Sequence, residues 1–231
     1  MSKKLKVIVF VLLVAFFSST VFAGAKEDIY SKLECCKCGK SFISCTCAHA
    51  KEMKAYIDAF LEAGLGEEEI MLKIAKKYSL DSIIDFKTKK VVEKKLIEEA
   101  GAKRPEIFIK PLAYDLGKVS KSKGKLELAV KVKNKGNTAL TINELKTSCG
   151  CTTVRLKTKK SESPAFSMNM ENLKSSWKAD LAPAEEGKLI IVTDLDHPHV
   201  KLGHMARSVT IKSNDPVYST INVEFEVEIV E

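Results

Sequence analysis

The sequence lacks the residue patterns by which most enzyme classes are recognised. It contains no phosphate-binding loop, no dinucleotide fingerprint, no paired-carboxylate arrangement and no Ser, His and Asp order typical of a hydrolase. These absences argue against a hydrolase or a kinase.

Long apolar runs are missing as well, except in the first segment of the chain. Residues 7–17 form an unbroken apolar run that follows three lysines and precedes the small residues Ala23 and Ala25. This order is typical of a secretory signal peptide, and the run is shorter than the roughly 20 residues that span a bilayer. We therefore expect residues 1–25 to be a cleaved signal peptide. The mature protein would be soluble, periplasmic or otherwise extracytoplasmic, and without a transmembrane anchor.

A strong excess of one charge is also absent. The chain has 38 Lys and Arg against 30 Asp and Glu, a formal net charge of +8, and three of the lysines lie in the predicted signal peptide. The other lysines are spread over both halves of the chain, which is typical of a solvated surface. We expect no nucleic-acid partner.

The first half of the mature chain, residues 26–104, shows helical periodicity after a cysteine-rich opening. Apolar residues at spacings of three and four predict a helix over residues 49–63, which Gly64 ends. A second helix begins at the acidic residues around Glu68, and a third lies around residues 91–97. Together they predict a small three-helix bundle.

The second half, residues 105–231, alternates between apolar and polar residues instead. The predicted fold class is α + β in separate domains, in which the helical bundle is followed by an antiparallel immunoglobulin-like β-sandwich. The segments with this alternation are residues 126–132, 139–145, 188–192, 209–211 and 221–230.

Seven cysteines carry the candidate chemistry, five of them ahead of the helices. Cys35 and Cys38 have CxxC spacing, which lets two sulfurs meet in a tight turn, and the neighbouring lysines favour a thiolate nucleophile. This pattern predicts a catalytic dithiol formed by Cys35 and Cys38.

The same segment also fits two other interpretations. Cys36 with Cys38 and Cys45 with Cys47 form two CxC pairs, and four thiolates on adjacent loops can enclose zinc or copper(I). In an exported protein the cysteines also suit static disulfides, although an odd number leaves at least one thiol over. Spacing alone leaves these alternatives open.

The residues around the CxxC resemble a known family. The sequence from Cys35 to Cys38, the segment AKEMKAY and the segment GLGEEEIMLKIAKKY are similar to the CcmH family of cytochrome c biogenesis proteins, also called CycL or NrfF, in a cysteine-rich variant. The resemblance covers residues 34–84. It implies a three-helix bundle whose CxxC reduces or carries the cysteines of apocytochrome c before haem ligation, with Cys35 and Cys38 as the redox pair.

The remaining two cysteines, Cys149 and Cys151, lie in the strand-rich half. At strand spacing both side chains face the same way, so they can take a soft metal or an incoming disulfide, close a disulfide around Gly150, or remain an inert buried pair. The SCGCT segment that contains them, with VKNKG before it and SNDP after it, resembles a bacterial Ig-like family of unknown function. That resemblance implies a fold and no activity.

Two functions follow as hypotheses. The first is a thiol-disulfide oxidoreductase or thiol carrier for exported cysteine-containing proteins such as apocytochrome c. The second is a non-enzymatic module of the cell envelope that binds zinc or copper or serves for docking. No cofactor is certain from the sequence, and zinc and copper are the candidates.

Overall fold

The computed structural model describes residues 24–35, 40–168 and 177–231. The chain divides into two compact units, the first ending at Leu96 and the second beginning at Ile97. The predicted signal peptide, residues 1–25, falls outside the described residues except for its last two positions. Among the described residues, no helix is long and apolar enough to cross a membrane.

Four α-helices precede the sheets in the described residues. Helix α1 comprises residues 24–31, α2 Ala48–Glu62, α3 Glu67–Lys77 and α4 Phe86–Ala100, and a short 3-10 helix lies at Leu80–Ser82. The three helices predicted from periodicity are confirmed as α2, α3 and α4. The apolar stripe of α2 is its buried face, formed by Ala50, Met53, Ile57 and Leu61.

The prediction of a three-helix bundle is wrong, because α1 is a fourth helix of the first unit. Ile29 of α1 is buried, and the Tyr30 hydroxyl donates a hydrogen bond to Asp58 Oδ1 of α2 at 3.0 Å. Just after α1, the Lys32 ammonium lies 2.8 Å from Glu67 Oε1 of α3. A helical period cannot be recognised in the sequence of only eight described residues. The contacts of α1 with α2 and α3 are what identify it as part of the first unit.

The second unit consists of nine strands in two sheets within the described residues. The four-stranded sheet has the order β1-β3-β7-β5 and the five-stranded sheet the order β2-β9-β8-β4-β6. The strands are β1 Ile107–Phe108, β2 Ala113–Ser120, β3 Lys125–Asn134, β4 Leu140–Thr147, β5 Thr152–Lys157, β6 Ala179–Leu181, β7 Glu186–Asp194, β8 Gly203–Ser213 and β9 Thr220–Val230.

The β-sandwich prediction is confirmed in outline and corrected in detail. All five predicted segments lie in strands β3, β4, β7, β8 and β9. The sheets are not wholly antiparallel, because β2 pairs with β9 in parallel, with a register shift between Asp115 and Lys118. Gly117, at φ 63°, adopts the left-handed conformation that this irregularity requires. Strand β2 was not predicted because apolar and polar residues do not alternate strictly along its sequence.

The two sheets share a core of aliphatic side chains. Val130 of β3, Ile191 of β7, Val209 of β8 and Val223 of β9 are almost completely buried and belong to one cluster. A second, smaller cluster contains Cys149 and Cys151, packed with Leu126, Leu195, Val200, Met205, Val227 and Ile229. The cysteines of the second unit therefore lie against an apolar wall.

Candidate functional site: a cluster of three cysteine sulfurs

Three cysteines of the first unit bring their sulfur atoms together, and we call this group the thiol cluster. The Sγ atom of Cys47 lies 3.5 Å from Cys35 Sγ and 3.5 Å from Cys45 Sγ. All three sulfurs lie within 4.8 Å of one another. Cys35 and Cys45 are buried, and Cys47 is partly exposed.

The position of Cys35 is fixed by a short hairpin. Glu34 pairs with Ser41 in an isolated antiparallel bridge, and the Cys35 N–H donates to Lys40 O at 3.1 Å. The Glu34 N–H also donates to Ser82 O at 3.0 Å, which ties the hairpin to the 3-10 helix. These backbone bonds hold Cys35 in place independently of its side chain.

The loop that carries Cys45 is held by a lysine of helix α2. Lys54 Nζ donates to Ile43 O at 3.0 Å and to Cys45 O at 2.9 Å. The Cys45 N–H donates to Ser41 O at 3.0 Å. Lys54 therefore fixes the loop from the helix side.

Cys47 occupies the N-cap position of α2. Its Sγ accepts a hydrogen bond from the Ala50 N–H at 3.4 Å, and its own carbonyl accepts from the Lys51 N–H at 3.0 Å. A helix N-terminus carries a partial positive charge, which favours a negatively charged group beside it. The helix thus presents Cys47 to the other two sulfurs with its dipole oriented favourably for an anionic site.

The spacing of the sulfurs suits a shared metal ion. At 3.5 Å, the sulfurs of Cys35 and Cys45 are each too far from Cys47 Sγ for a covalent bond. Zinc bound tetrahedrally by thiolates at about 2.3 Å would space neighbouring sulfurs by about 3.8 Å. One ion would use all three sulfurs, whereas a disulfide would use two.

The structure combines residues from both sequence interpretations. Cys35 was predicted as half of the redox pair, and Cys45 and Cys47 as metal ligands, but the three lie together. Cys36 and Cys38, which complete the two predicted sets, fall outside the described residues. Sequence spacing did not associate Cys35 with Cys45 and Cys47, because that association depends on the hairpin between Glu34 and Ser41.

The second pair, Cys149 and Cys151, forms a disulfide, which we call the CxC disulfide. Its two Cα atoms lie 5.3 Å apart, between the end of β4 and the start of β5. The Arg207 side chain of β8 donates from Nε to Cys151 Sγ at 3.4 Å. The two sulfurs are bonded to each other in this structure, which is the oxidised form of the pair.

Comparison with known proteins identifies part of the second unit. Residues 107–168 match a family described as a protein of unknown function (DUF1573). The matched region includes the CxC disulfide, which agrees at this coarse level with the predicted family of unknown function. The comparisons give no support to the resemblance of residues 34–84 to the CcmH family, and no curated protein matches the chain.

Solved structures resemble the chain only weakly. A protein of unknown function from Porphyromonas gingivalis W83 is 17% identical with a TM-score of 0.39, and the match covers 55% of this chain and 49% of that one. The ASH / PapD-like domain of human CEP192 is 12% identical with a TM-score of 0.36, over 57% of this chain and 89% of that domain. The match spans about half the length of the Porphyromonas protein.

Proposed function

We propose that the first unit is a non-enzymatic metal-binding module that holds a soft metal ion, Zn²⁺ or Cu⁺, in the thiol cluster. The observation that carries the proposal is the convergence of Cys35, Cys45 and Cys47, whose sulfurs lie within 4.8 Å of one another. Both ions prefer thiolate ligands, and three sulfurs at this spacing fit around one ion.

The surroundings of the thiol cluster support an anionic metal centre. Three thiolates carry more negative charge than one Zn²⁺ or Cu⁺ neutralises, so the centre needs nearby positive charge. The Ala50 N–H points at Cys47 Sγ, and Lys54 Nζ lies 2.9 Å from Cys45 O. The N-terminus of α2 provides part of that compensation, and the lysine holds the loop that carries Cys45.

The burial of Cys35 and Cys45 is compatible with a metal site. Cys35 is 0% exposed and Cys45 is 4% exposed. A thiol that exchanges with protein substrates has to be reached by the incoming sulfur, whereas a structural metal ligand does not. A bound ion would join the hairpin of Cys35, the loop of Cys45 and the start of α2, so its binding energy would stabilise this part of the unit.

An extracytoplasmic location is part of the proposal and is supported by the order of residues 1–25. An envelope protein is exposed to oxidants, and a bound metal ion protects thiolates by occupying their lone pairs. In this setting the metal module would dock to another envelope protein through the rest of the chain.

A second candidate function is thiol-disulfide exchange, which the partly exposed Cys47 favours because its sulfur lies 3.5 Å from two others. The Cys47 thiolate would attack a substrate disulfide and form a mixed disulfide, releasing one substrate thiolate. Attack by Cys35 on Cys47 Sγ would then release the second, leaving a Cys35–Cys47 disulfide and a reduced substrate. The resemblance to the CcmH family would make apocytochrome c such a substrate.

Metal analysis of the full chain tests the proposal. The reduced protein is loaded anaerobically with Zn²⁺ or with Cu⁺ and freed of excess ion, and bound metal is measured by mass spectrometry. We expect about one ion per chain, lost in Cys35→Ser and in Cys45→Ser. The matched control is the double variant Cys149→Ser/Cys151→Ser, which removes two thiols outside the cluster and should keep the ion. A wild-type chain that binds no metal while its thiols are reduced would overturn the proposal in favour of exchange.

A further inference from the structure

The CxC disulfide lies where the chain crosses from one sheet to the other. Cys149 and Cys151 follow β4 of the five-stranded sheet and precede β5 of the four-stranded sheet. The turn is held by bonds that do not involve the disulfide: the Thr147 hydroxyl lies 2.8 Å from Cys149 O and 3.0 Å from Thr152 O. The Ser148 N–H also donates to Ser208 O at 2.9 Å.

This disulfide contributes little to the stability of the fold. A disulfide stabilises a protein mainly by restricting the unfolded chain, and the effect grows with the length of the loop that it closes. Cys149 and Cys151 are only two residues apart, so very little chain is restricted. Since the turn also has its own hydrogen bonds, a purely structural role does not account for the bond.

Arg207 provides a charged partner for one of the two sulfurs. Its Nε donates to Cys151 Sγ at 3.4 Å, and its Nη1 donates to Ala206 O at 2.8 Å. Burial lowers the pKa of the Arg207 guanidinium, although the group stays charged at physiological pH. A disulfide sulfur is a weak acceptor, whereas a thiolate is a strong one. The contact therefore becomes more favourable when the disulfide is reduced.

The two cysteines differ in exposed fraction, although both are buried. Cys149 is 9% exposed and Cys151 is 3% exposed. Gly150 between them is exposed, and a Cβ atom added to it would meet no atom within 4 Å. Cys149 is thus the more exposed of the two cysteines, and we take it as the one that an incoming thiolate attacks. The leaving sulfur is then Cys151, which is the one beside Arg207.

We propose that Cys149 and Cys151 form a redox-active site that oxidises dithiols, with Arg207 stabilising the Cys151 thiolate. A substrate thiolate attacks Cys149 Sγ, the Cys149–Cys151 bond breaks, and Cys151 leaves as a thiolate. The second thiolate of the substrate attacks the substrate sulfur of the mixed disulfide and releases Cys149. The substrate gains a disulfide, the protein gains a dithiol, and two electrons pass between them.

The substrate class follows from the reaction and from the position of the disulfide. Gly150 at the centre of the turn is exposed, and the two cysteines pack against the apolar wall. A flexible peptide segment with two nearby cysteines can present one thiolate to Cys149 and keep the second within reach. This inference is independent of the thiol cluster, because it rests on different residues in the other unit.

The experiment measures the redox equilibrium of the CxC disulfide in the full chain. The protein is equilibrated in buffers of reduced and oxidised glutathione, and its thiols are then trapped by alkylation. Trypsin releases residues 147–155, TSCGCTTVR, which contain these two cysteines and no others. Mass spectrometry of this peptide gives the reduced fraction without interference from the other five cysteines.

The decisive comparison is between Arg207→Gln and Arg155→Gln. Arg155 is an arginine of β5 that pairs with Glu162, and its variant extends the reporter peptide only to Lys157. We expect the wild-type disulfide to be reduced within the glutathione range. Arg207→Gln should lower the equilibrium constant for reduction about tenfold, with no shift for Arg155→Gln. A disulfide that resists glutathione, or an equal equilibrium constant in all three proteins, would overturn the inference.

A second measurement tests the direction of attack. Cys151→Ser leaves Cys149 as the accessible sulfur and should form a mixed disulfide with oxidised glutathione. Cys149→Ser leaves the more buried Cys151, whose rate per ionised thiol should be at least several-fold lower. Equal rates per ionised thiol, in variants whose circular dichroism shows the native sheet content, would contradict the assignment of Cys149 as the attacked sulfur.

Discussion

Cys35 Sγ lies 3.5 Å from Cys47 Sγ, although the two residues are separated by a hairpin and a loop. Local structure fixes both residues: Cys35 follows the bridge between Glu34 and Ser41, and Cys47 caps helix α2. With Cys45 as the third member, the thiol cluster joins three segments of the first unit at one point. A metal ion bound there would connect all three.

Lys54 is expected to act on metal affinity without being a ligand. Its two hydrogen bonds, to Ile43 O and Cys45 O, orient the loop that carries Cys45. Lys54→Met should weaken metal binding about tenfold, as is usual when a group that orients a ligand is lost. Competition with a chromophoric chelator measures the affinity. Lys51→Met, at an exposed position of the same helix, is the control, and an equal loss in both variants would argue against this role of Lys54.

The N-cap role of Cys47 can be separated from its role as a metal ligand. Cys47→Ser keeps an N-cap side chain that accepts the Ala50 N–H, whereas Cys47→Ala removes it. Both variants should lose the metal. In the metal-free state, Cys47→Ala should be less stable than Cys47→Ser by about 1 kcal/mol. Urea unfolding followed by the helical circular dichroism signal measures the difference. Equal stabilities would show that the cap contributes nothing.

Tyr30 makes the first unit sensitive to alkaline pH. Burial and the hydrogen bond to Asp58 raise the pKa of Tyr30 well above its usual value of 10.0. The folded state therefore keeps the hydroxyl proton where the unfolded state loses it. The contribution of the protonated Tyr30 hydroxyl to the free energy of unfolding is fully present below about pH 10 and falls as the pH rises above that value.

Tyr30→Phe tests this pH dependence. The variant should be less stable by about 1 kcal/mol at pH 8, because a hydrogen bond is lost. The gap between variant and wild type should narrow as the pH rises above about 10. Urea unfolding at pH 8 and again above about pH 10 gives the difference in the free energy of unfolding between variant and wild type under each condition. A gap that stays constant with pH would contradict the raised pKa.

Two glycines of the second unit should respond very differently to the same substitution. A Cβ atom at Gly136 would collide with Arg104 O and would lie 2.7 Å from the carbonyl carbon of Pro105, both of them backbone atoms. Gly136→Ala should therefore destabilise the sandwich by about 2 kcal/mol or more. At Gly150 the same atom meets nothing within 4 Å, so Gly150→Ala should change stability by less than about 0.5 kcal/mol. Thermal unfolding of the two variants compares them, and similar losses would be inconsistent with the packing at Gly136.

Local sequence patterns predicted the elements whose residues carry a clear period. Met53, Ile57 and Leu61 mark the buried face of α2, and the alternation in β3 and β9 placed those strands. Helix α1 was missed because its eight described residues carry no recognisable period. The parallel pairing of β2 with β9 was missed because strand partners are set by the whole topology. The spacing of residues within one segment does not show which distant strands pair with each other.

The thiol cluster was predicted only in part for the same reason. The sequence identified the cysteine-rich segment and the two chemistries open to it, redox exchange and metal binding. Which sulfurs meet depends on the bridge between Glu34 and Ser41 and on the N-cap at Cys47. Neither follows from CxxC or CxC spacing, since several pairings of the same cysteines are compatible with it.

X-ray absorption at the metal edge of the loaded full chain tests the central claim most directly. If the thiol cluster binds the metal, the first shell of Zn²⁺ should consist of sulfur at about 2.3 Å, with at least three sulfur ligands. Cys45→Ser should reduce the number of sulfur scatterers or abolish binding. A first shell dominated by nitrogen or oxygen would contradict the account and place the ion elsewhere in the chain.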